Sequence, residues 1–460
     1  MKSHYTTVII GGGISGLATA WWLHKAGVDV SVLEQDSDVG GTMKTIREDG
    51  WLVETGPNSA LETSPLFKTL VEDLSLQDQF VYADERSNKR YILRNNTLHQ
   101  LPMSPPLFLK SKLWSMKGKV RLLKEPFVGR AHTEESIASF VERRLGREFL
   151  DYAINPFVAG VYAGNPEELS VRAAFPKLYA LEEKYGGLIK GMIKGARERK
   201  KRAEKSKQSA KMFSFKEGMN ILPCALKRGL NGSVFTSVSV DSIVKDNNGY
   251  IVQGKDADGV FSIRANSVVT AIPAYSTARL LESFDSDLSK NVNDIYYPPV
   301  AEVFLGYREE DVHYPLDGFG FLIPAKEQRQ ILGTIWSSSL FPDRAPKGHV
   351  ALTTFIGGSR QPVLAGKNDD ELLRIVTDEL KSILKLSNNP VYKKINRWKK
   401  AIPQYRIGHL SIVEQIEKFE RDCKGIFISG NFRGGISVGD CVASSERTAN
   451  AVKEFLSVQN

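Results

Sequence analysis

Three glycines near the N-terminus, Gly11, Gly13 and Gly16, have the spacing G-x-G-x-x-G. In such a loop the first glycine permits a tight turn, the second lets a pyrophosphate approach the backbone, and the third lets a helix pack closely on a strand. The flanking residues agree, because Thr6–Ile10 predicts a buried strand and Ser15–Lys25 predicts a helix. The spacing therefore predicts a loop that binds the pyrophosphate of a dinucleotide.

A carboxylate stands where a dinucleotide-binding fold places its ribose-binding acid. Val28–Leu33 alternates as a second strand, and Glu34 follows it directly. A carboxylate at this point binds a ribose hydroxyl and repels a 2′-phosphate, which argues against NADP. The apolar stretch Val8–Leu23 resembles a signal peptide, but its glycines and the lack of a small-residue cleavage site favour the dinucleotide loop.

Further glycine-rich segments favour FAD over NAD, because the isoalloxazine end of FAD needs close backbone contacts beyond the first loop. Gly40-Gly41-Thr42 follows soon after the predicted second strand, and Glu54–Ser59 reads ETGPNS. Near the C-terminus, Gly425–Gly430 predicts a strand, which runs into the loop Asn431–Asp440 and then a helix over 441–456. A helix N-terminus there could face an anion or a flavin carbonyl, although an ordinary turn is the alternative.

The net charge of +9 is concentrated in two segments. Leu107–Arg130 carries a net charge of +6 among bulky apolar residues, which predicts a basic amphipathic helix that lies in a membrane interface or faces the core. Lys190–Lys211 carries +8 and predicts a solvated, mobile arm that could also touch anionic lipid. Nucleic acid is not predicted as a partner, because no recognition motif accompanies the charge.

Between these segments, Thr133–Ser136 is a helix-start pattern, and apolar residues follow it at helical spacing. Asn155–Gly164 reads NPFVAGVYAG and predicts an apolar turn, either the wall of a pocket or simple loop packing. Three scattered cysteines and seven histidines without a short-spaced pair predict no metal site and favour a reducing cytosol. No apolar run is long enough to predict a transmembrane helix.

Over nearly its full length the chain resembles the protoporphyrinogen oxidase family, in the flavin amine oxidase superfamily. The segments that carry the resemblance are VIIGGGISGLA, GGTMKT, ETGPNSA, NKRYILRNNTLHQLP, NPFVAGVYAGNPEELSVRAAFPKL, GFGFLIP, LGTIWSSSLFPDRAP, TTFIGGSR and SGNFRGGISVGD. Phe319–Arg360 is especially specific, because general flavin amine oxidases do not share this segment.

The resemblance implies an FAD site and a porphyrinogen site. The implied FAD contacts are Gly11, Gly12, Gly13, Ile14, Ser15, Gly16, Glu34, Gly41, Thr42, Gly56, Pro57, Asn58, Ser59, Val240, Asn431, Ile436, Ser437 and Val438. Arg90 would pair with a substrate carboxylate, Leu322 and Ile335 would sandwich one ring, and Phe355 would stack on another. Ile335 stands where the family has leucine, a swap that conserves volume. No catalytic acid or base is predicted.

The expected fold is α/β, with a discontinuous Rossmann-like FAD-binding domain, a mixed-sheet substrate domain and an inserted helical, membrane-binding domain. The ranges expected for these domains are 1–85, 215–275 and 405–460 for FAD binding, 86–100 and 276–404 for substrate binding, and 101–214 for the insertion.

The implied reaction is the six-electron oxidation of protoporphyrinogen IX to protoporphyrin IX, with O2 as acceptor and H2O2 as product. Coproporphyrinogen III oxidation is the first alternative, and another flavin amine oxidase-like activity or a non-catalytic flavoprotein is the second. The implied setting is the cytoplasm, with the inner face of an anionic cell membrane, ferrochelatase and a second copy of the chain as candidate partners.

Overall fold

The structure is a computed structural model that describes residues 1–202 and 210–459. The strands are β1 (His4–Ile10), β2 (Val30–Leu33), β3 (Thr45–Glu48), β4 (Trp51–Glu54), β5 (Ala60–Leu61), β6 (Phe80–Tyr82), β7 (Tyr91–Arg94), β8 (Thr97–Gln100), β9 (Met212–Phe215), β10 (Val234–Phe235), β11 (Ser239–Asp246), β12 (Gly249–Asp256), β13 (Gly259–Thr270), β14 (Val300–Arg308), β15 (Gly320–Leu322), β16 (Ile331–Trp336), β17 (His349–Gly357), β18 (Tyr392–Trp398) and β19 (Ile426–Ile428).

The helices of the described residues surround and connect these strands. They are α1 (Ile14–Lys25), α2 (Pro65–Asp73), α3 (Pro105–Lys110), α4 (Met116–Arg121), α5 (Ile137–Leu145), α6 (Arg147–Phe149), α7 (Asn155–Tyr162), α8 (Val171–Ala174), α9 (Pro176–Tyr185), α10 (Leu188–Arg202), α11 (Ile221–Gly229), α12 (Ala274–Leu281), α13 (Ser286–Asn293), α14 (Ser337–Leu340), α15 (Pro362–Ala365), α16 (Asp369–Leu384), α17 (His409–Asp422) and α18 (Val438–Gln459). None of the helices in these ranges is long and apolar enough to cross a membrane.

The first sheet joins the two ends of the chain. Its strands run in the order β10-β2-β1-β13-β12-β11, and β19 pairs with β13. The N-terminal β1 and the C-terminal β19 both lie parallel to β13. The helices α1 and α18 pack together in one core, and the Ser445 hydroxyl donates to the Ser15 carbonyl at 2.9 Å. The expected discontinuous nucleotide-binding sheet is therefore present.

Element bounds near the predicted dinucleotide loop differ slightly from those read from the sequence. β2 begins at Val30 rather than Val28, because the chain still turns at Gly27, whose φ is 78°. α18 begins at Val438 rather than Cys441, because the Ser437 hydroxyl accepts a hydrogen bond from the Asp440 amide at 3.1 Å and caps the helix.

The second sheet is mixed, and its strands come from the ranges predicted for substrate binding. Its order is β18-β14-β17-β16-β15-β7-β8, in which β15 and β7 are parallel. One face packs on α16, where Leu372, Val376 and Leu380 share a core with Val303 and Leu305. Because side chains alternate along a strand, the remaining side chains point to the opposite face. Part of that face is covered, since Phe304 and Ala351 share a core with Trp51, and the rest can line a site. α12 and α13 lie beyond the expected boundary at 275 but pack against the first sheet.

The basic segment Leu107–Arg130 is not one amphipathic helix, so that prediction is wrong. It contains the end of α3, then α4, then a 3-10 turn over Leu122–Phe127. α3 stops because Ser111 adopts an extended backbone with φ −61° and ψ 137°. The Ser115 hydroxyl then accepts from the Gly118 amide at 3.1 Å and starts α4.

Two other segments are more helical than the sequence suggests. The chain is helical in α10 as far as Arg202, and most of its described side chains from Lys190 to Lys194 are exposed. This part of the predicted solvated arm is therefore a helix, and residues 203–209 lie outside the described residues. Asn155–Tyr162 forms the helix α7 rather than a turn. Pro156 is compatible with it, because the first turn of a helix needs no amide donor. Ala163, with φ 48°, ends the helix.

A buried ion-pair cluster holds the helical segment together. Arg144 is fully buried, lies 3.0 Å from the Glu125 carboxylate, and also pairs with Glu182. Glu125 in addition accepts the amides of Leu188 at 2.6 Å and Ile189 at 3.0 Å. The cluster therefore connects the 3-10 turn to α5, α9 and the start of α10.

Replacing Arg144 by methionine should be strongly destabilising, because the buried Glu125 would lose its ion-pair partner and the buried Glu182 would keep only Arg143. We expect a loss of about 3–5 kcal/mol in the free energy of unfolding, measured by chemical denaturation. Arg147→Met is the matched control. The Arg147 side chain is 61% exposed, so its ion pairs should contribute about 1 kcal/mol or less to the free energy of unfolding. Equal effects of the two substitutions would contradict this assignment.

Candidate functional site

The loop between β1 and α1 has the close contacts that a pyrophosphate-binding turn needs. A Cβ added at Gly16 would lie 1.9 Å from the Gly11 carbonyl oxygen, so that only glycine fits there. A Cβ added at Gly13 would meet nothing within 4 Å, which shows that the backbone at Gly13 faces open space. The third glycine thus allows tight packing, while the second leaves room for a ligand, as the spacing predicts.

The Glu34 side chain is bonded to the same loop. Glu34 follows β2 and is buried, and its Oε2 accepts from the Gly12 amide at 2.6 Å. Its Oε1 accepts from the Asp36 amide at 2.8 Å. These bonds fix the carboxylate at the edge of the loop, where a ribose would follow the pyrophosphate.

The second glycine segment, Gly40-Gly41-Thr42, lies against the first glycine loop and forms the cofactor cradle together with it. The Gly40 amide donates to the Gly12 carbonyl at 2.8 Å, and a Cβ at Gly41 would lie 3.4 Å from the Gly13 Cα. A Cβ at Gly56 would lie 1.9 Å from the Thr42 carbonyl oxygen. The two predicted segments Gly41–Thr42 and Gly56–Ser59 are therefore in direct contact with one another and with the first loop.

The structure brings the remaining predicted cofactor residues to this region. The Val238 amide donates to the Glu34 carbonyl at 2.8 Å, which places Val240 near the end of β2. Among the C-terminal residues, Ile436 packs against the helical core, Ser437 caps α18 and Val438 is buried. Asn431 lies at the start of that loop, and its carbonyl accepts from the Tyr405 hydroxyl at 2.6 Å.

Tyr405 is a positioning residue that the sequence reading missed. Besides its bond to Asn431, its hydroxyl oxygen accepts from the Gly435 amide at 3.0 Å. Its ring stacks on His409 with centroids 4.2 Å apart. One buried phenol therefore bridges both ends of the C-terminal glycine loop. No spacing pattern in the sequence marks this tyrosine, because its partners are backbone atoms of a distant segment.

The predicted substrate residues of the second sheet share one face. Leu322 pairs with Gly333, and Ile335 pairs with Gly320 and Thr353. Phe355 lies opposite Gly333 and Glu302. All three side chains are half-buried, whereas Phe321, Thr334 and Thr354, which point the other way, are buried. Gly333 is closely packed, since a Cβ added there would lie 2.5 Å from the Phe321 carbonyl oxygen and 3.0 Å from a terminal methyl carbon of Leu322.

α7 packs directly on this wall, which is compatible with both interpretations of Asn155–Gly164, a pocket wall and simple packing. A Cβ added at Gly160 would lie 2.6 Å from a terminal methyl carbon of Leu322. The helix therefore approaches the sheet at the residue expected to contact substrate. Val158 and Tyr162 face the other way, into the core of the helical segment.

Arg90 lies at the edge of the wall and has no ion-pair partner among the described residues. It directly precedes β7, where Ile92 is aligned with Leu322. Burial lowers its pKa, and its guanidinium carbon lies 5.2 Å from the centre of the Phe319 ring. No acid pairs with it among the described residues, whereas the neighbouring Lys89 pairs with Asp317. A half-buried arginine without a counter-ion is suited to bind a ligand carboxylate.

The comparisons with known proteins agree with this geometry. A family model described as flavin containing amine oxidoreductase matches residues 14–453. Protoporphyrinogen oxidase 2, chloroplastic/mitochondrial, of Arabidopsis thaliana is 35% identical over 97% of this chain and 94% of its own length. Coproporphyrinogen III oxidase of Bacillus subtilis is 26% identical over 99% of both chains.

Solved structures show the same fold. A crystal structure from Exiguobacterium sp. 255-15, of a protein provisionally described as a protoporphyrinogen oxidase, has a TM-score of 0.82 at 23% identity, over 99% of both chains. Reduced UDP-galactopyranose mutase has a TM-score of 0.73 at 16% identity, over 99% of this chain and 96% of the other. At these identities the likeness concerns the fold alone.

The chain therefore belongs to the flavin-containing amine oxidoreductase family. Within that family, plant protoporphyrinogen oxidases are more than 30% identical to it over nearly its whole length, which confirms the resemblance drawn from the sequence. The protein is an oxidoreductase, and FAD is its cofactor. The residues present fit FAD, because the open space at Gly13, the Glu34 carboxylate and the contiguous glycine segments can follow a long dinucleotide.

Two glycine substitutions should separate packing from cofactor binding. Gly16→Ala places a methyl group against a backbone carbonyl and should cost about 1–3 kcal/mol in unfolding free energy, even without FAD. Gly13→Ala should leave that stability unchanged but weaken FAD binding roughly tenfold or more, or about 1.4 kcal/mol, because the methyl fills the ligand space.

The measurements are denaturation of the FAD-free protein and titration of FAD by flavin fluorescence. Gly129→Ala is the control, since a Cβ there would also meet nothing within 4 Å. If Gly13→Ala bound FAD as tightly as Gly129→Ala, the pyrophosphate would not lie at Gly13.

Proposed function

We propose that this enzyme oxidises a porphyrinogen, with protoporphyrinogen IX as its substrate, O2 as the electron acceptor and H2O2 as the product. The observation that carries the proposal is the half-buried wall of Leu322, Ile335 and Phe355, with Arg90 at its edge. The names of the plant relatives support the same substrate.

The wall has the chemistry of this substrate. A porphyrinogen is a large apolar macrocycle with carboxylate arms, and it needs aliphatic and aromatic contacts together with few cations. Leu322, Ile335 and Phe355 provide the apolar contacts on one face of the sheet, and Arg90 can hold one carboxylate through two hydrogen bonds. Bound FAD supplies the acceptor for the hydride that leaves the macrocycle. The residues of the chain then contribute by orienting the ring and excluding water.

Coproporphyrinogen III remains a second candidate because of Arg360. This arginine lies beyond Phe355 at the end of β17 and donates at 2.8 Å to the Ile323 carbonyl and at 2.8 Å to the Asn155 side chain. Burial lowers its pKa to about 10, and no carboxylate pairs with it among the described residues. A second buried cation would suit a substrate with more carboxylates. Comparing kcat/KM for the two porphyrinogens decides between them.

The helical segment 101–214 supports a further part of the proposal, a peripheral contact with an anionic membrane. Leu123 is 71% exposed and Phe127 is 88% exposed. Other exposed apolar residues of the same segment are Met103, Leu107, Leu109, Met116 and Val120. Lysines lie between them in the sequence, so that apolar insertion and attraction to anionic headgroups would act together.

Arg90→Met should impair substrate use without affecting the cofactor. A charged hydrogen bond contributes about 1.5–3 kcal/mol, so kcat/KM for protoporphyrinogen should fall roughly 10- to 150-fold. The flavin absorbance spectrum should stay unchanged. Lys89→Met is the control, because Lys89 is already paired with Asp317 and should matter little. Equal kcat/KM for the two variants would remove Arg90 from the substrate site.

Replacing Leu123 and Phe127 together by serine should weaken liposome binding. Burial of one large apolar side chain contributes about 1.5–3 kcal/mol, so flotation with anionic vesicles should require at least roughly tenfold more lipid. Val363→Ser is the control, because Val363 is 81% exposed but lies outside the helical segment 101–214. Unchanged flotation of the double variant would show that this segment does not contact the membrane.

A further inference from the structure

Two buried carboxylates lie between the FAD loops and the substrate wall. Glu54 ends β4, directly before the segment Thr55–Ser59 of the cofactor cradle. Glu302 lies in β14, opposite Phe355 in one neighbouring strand and opposite Asn396 in the other. The Asn396 side chain donates to the Thr55 carbonyl at 2.9 Å, which joins the two regions. Neither carboxylate has a role in the substrate contacts described above.

The two acids have different surroundings. Glu54 accepts from the Thr45 hydroxyl at 2.6 Å and from the Met219 amide at 2.8 Å. Glu302 is buried, and its Oε1 has no hydrogen-bond partner in the described part of the chain. An ionised carboxylate is very unfavourable in such a place, whereas a protonated one is tolerated. Glu302 is therefore the member of the pair that keeps its proton.

The charges around the pair explain why Glu54 can exchange a proton near neutral pH. Burial raises the pKa of Glu54 to about 7, and the charge of Arg344 opposes that rise. Burial and the charge of Glu54 raise the pKa of Glu302 well above its usual value. Three other charged residues act on Arg344 rather than on the two carboxylates; they are Arg47, Asp343 and Glu217. Asn396, Phe355 and Thr353, from the strands beside Glu302, are neutral. Two carboxylates in one such site cannot both ionise easily.

A small cavity connects Glu54 with the cofactor segment. It measures about 10 Å³ and is lined by Leu52, Glu54, Asn58, Ser337, Leu340, Phe341, Arg344 and Thr353. That volume holds about one water molecule, and the polar lining offers it hydrogen bonds. A single water there would link the Glu54 carboxylate to Asn58, one of the residues expected to contact FAD.

We propose that Glu54 and Glu302 form a proton store beside the chamber, in which Glu302 stays protonated and Glu54 exchanges a proton with the site through this cavity. The inference rests on the proposed function and deepens it. In each cycle the porphyrinogen loses a hydride from carbon and a proton from nitrogen. The hydride, with both electrons, goes to the flavin, and the proton goes to the Glu54 carboxylate.

The reverse transfer completes the balance when oxygen is reduced. Dioxygen takes up two electrons and two protons to form H2O2. One proton comes from the reduced cofactor and the other from protonated Glu54, which returns to its carboxylate form. The store therefore ends each cycle as it began. Because Glu54 acts through a water rather than by touching the substrate, it is a proton-holding residue.

The first test is the pH profile of flavin reduction, measured anaerobically in rapid mixing with protoporphyrinogen. In the wild-type holoenzyme the rate should rise with pH up to about 7, because only ionised Glu54 accepts a proton. Glu54→Gln should abolish this rise and lower the rate at least about 100-fold, the usual contribution of a positioned proton acceptor. Glu48→Gln, an exposed acid on β3, should keep the wild-type profile.

The second test is infrared spectroscopy of the FAD-loaded protein without substrate, which reports carboxylic acid groups directly. A band that persists above neutral pH should disappear in Glu302→Gln. A second band should vanish as the pH rises through about 7 and be absent from Glu54→Gln. A wild-type spectrum that lacked these bands would contradict the protonation states proposed for the pair. The pH profile of flavin reduction then distinguishes a proton store from a merely structural carboxylic acid.

The outcomes separate this inference from the proposed function. Absence of porphyrinogen oxidation by the wild-type protein, with both bands present, would overturn the proposed function. Two results would overturn the proton store alone. The first is normal turnover and an unchanged pH profile in Glu54→Gln. The second is normal turnover of a wild-type protein whose infrared spectrum shows neither band.

Discussion

The structure depends on the pairing of β13 with strands from both ends of the chain. β1 lies parallel to β13 on one side and β19 lies parallel to it on the other. This arrangement brings the first glycine loop and the C-terminal glycine loop to the same edge of one sheet, since both follow the carboxyl ends of parallel strands. A nucleotide that spans both loops can bind only while these pairings hold. The cofactor site therefore depends on contacts between residues more than 400 positions apart, such as Ser15 and Ser445.

The second sheet adds specificity to this cofactor site. Its inner face is apolar except at a few positions, which include Asn396 and Glu302. Asn396 and Trp398 both donate to the Thr55 carbonyl, at 2.9 Å and 2.6 Å, so the wall is fixed to the cradle by direct bonds. In the part of the chain that the structure describes, the Arg90 guanidinium has no ion-pair partner and Oε1 of Glu302 has no hydrogen-bond partner. A cation at the rim and a buried acid whose pKa is raised by burial would suit a carboxylate-bearing, proton-releasing substrate.

Much of the cofactor site could be predicted because its chemistry is local in sequence. The contacts of Gly16 with Gly11 and the position of Glu34 after β2 follow from short-range spacing, and the structure agrees. The substrate residues could not be derived in this way. Leu322, Ile335 and Phe355 come together only through strand register, and the sequence reached them only by resemblance to a family.

Some predictions were wrong because the sequence reading missed a short-range feature such as a helix cap. Other features were missed because they depend on contacts between distant segments. The basic segment breaks at Ser111 and restarts at the Ser115 cap, although its apolar periodicity suggested one helix. Tyr405 has backbone partners that no pattern reveals. A sequence signal for Glu302 does exist, since it is the lone acid within the apolar segment Val300–Leu305. A single charged residue in a buried strand is a reason to expect a functional role.

The most direct measurement of the central claim is anaerobic mixing of the FAD-loaded protein with protoporphyrinogen IX. The account predicts that the oxidised flavin absorbance bleaches within the turnover time and that the absorption of protoporphyrin appears after oxygen is admitted. A flavin that stays oxidised with every porphyrinogen, but is bleached by an amine, would contradict the assignment of the apolar wall to a porphyrinogen.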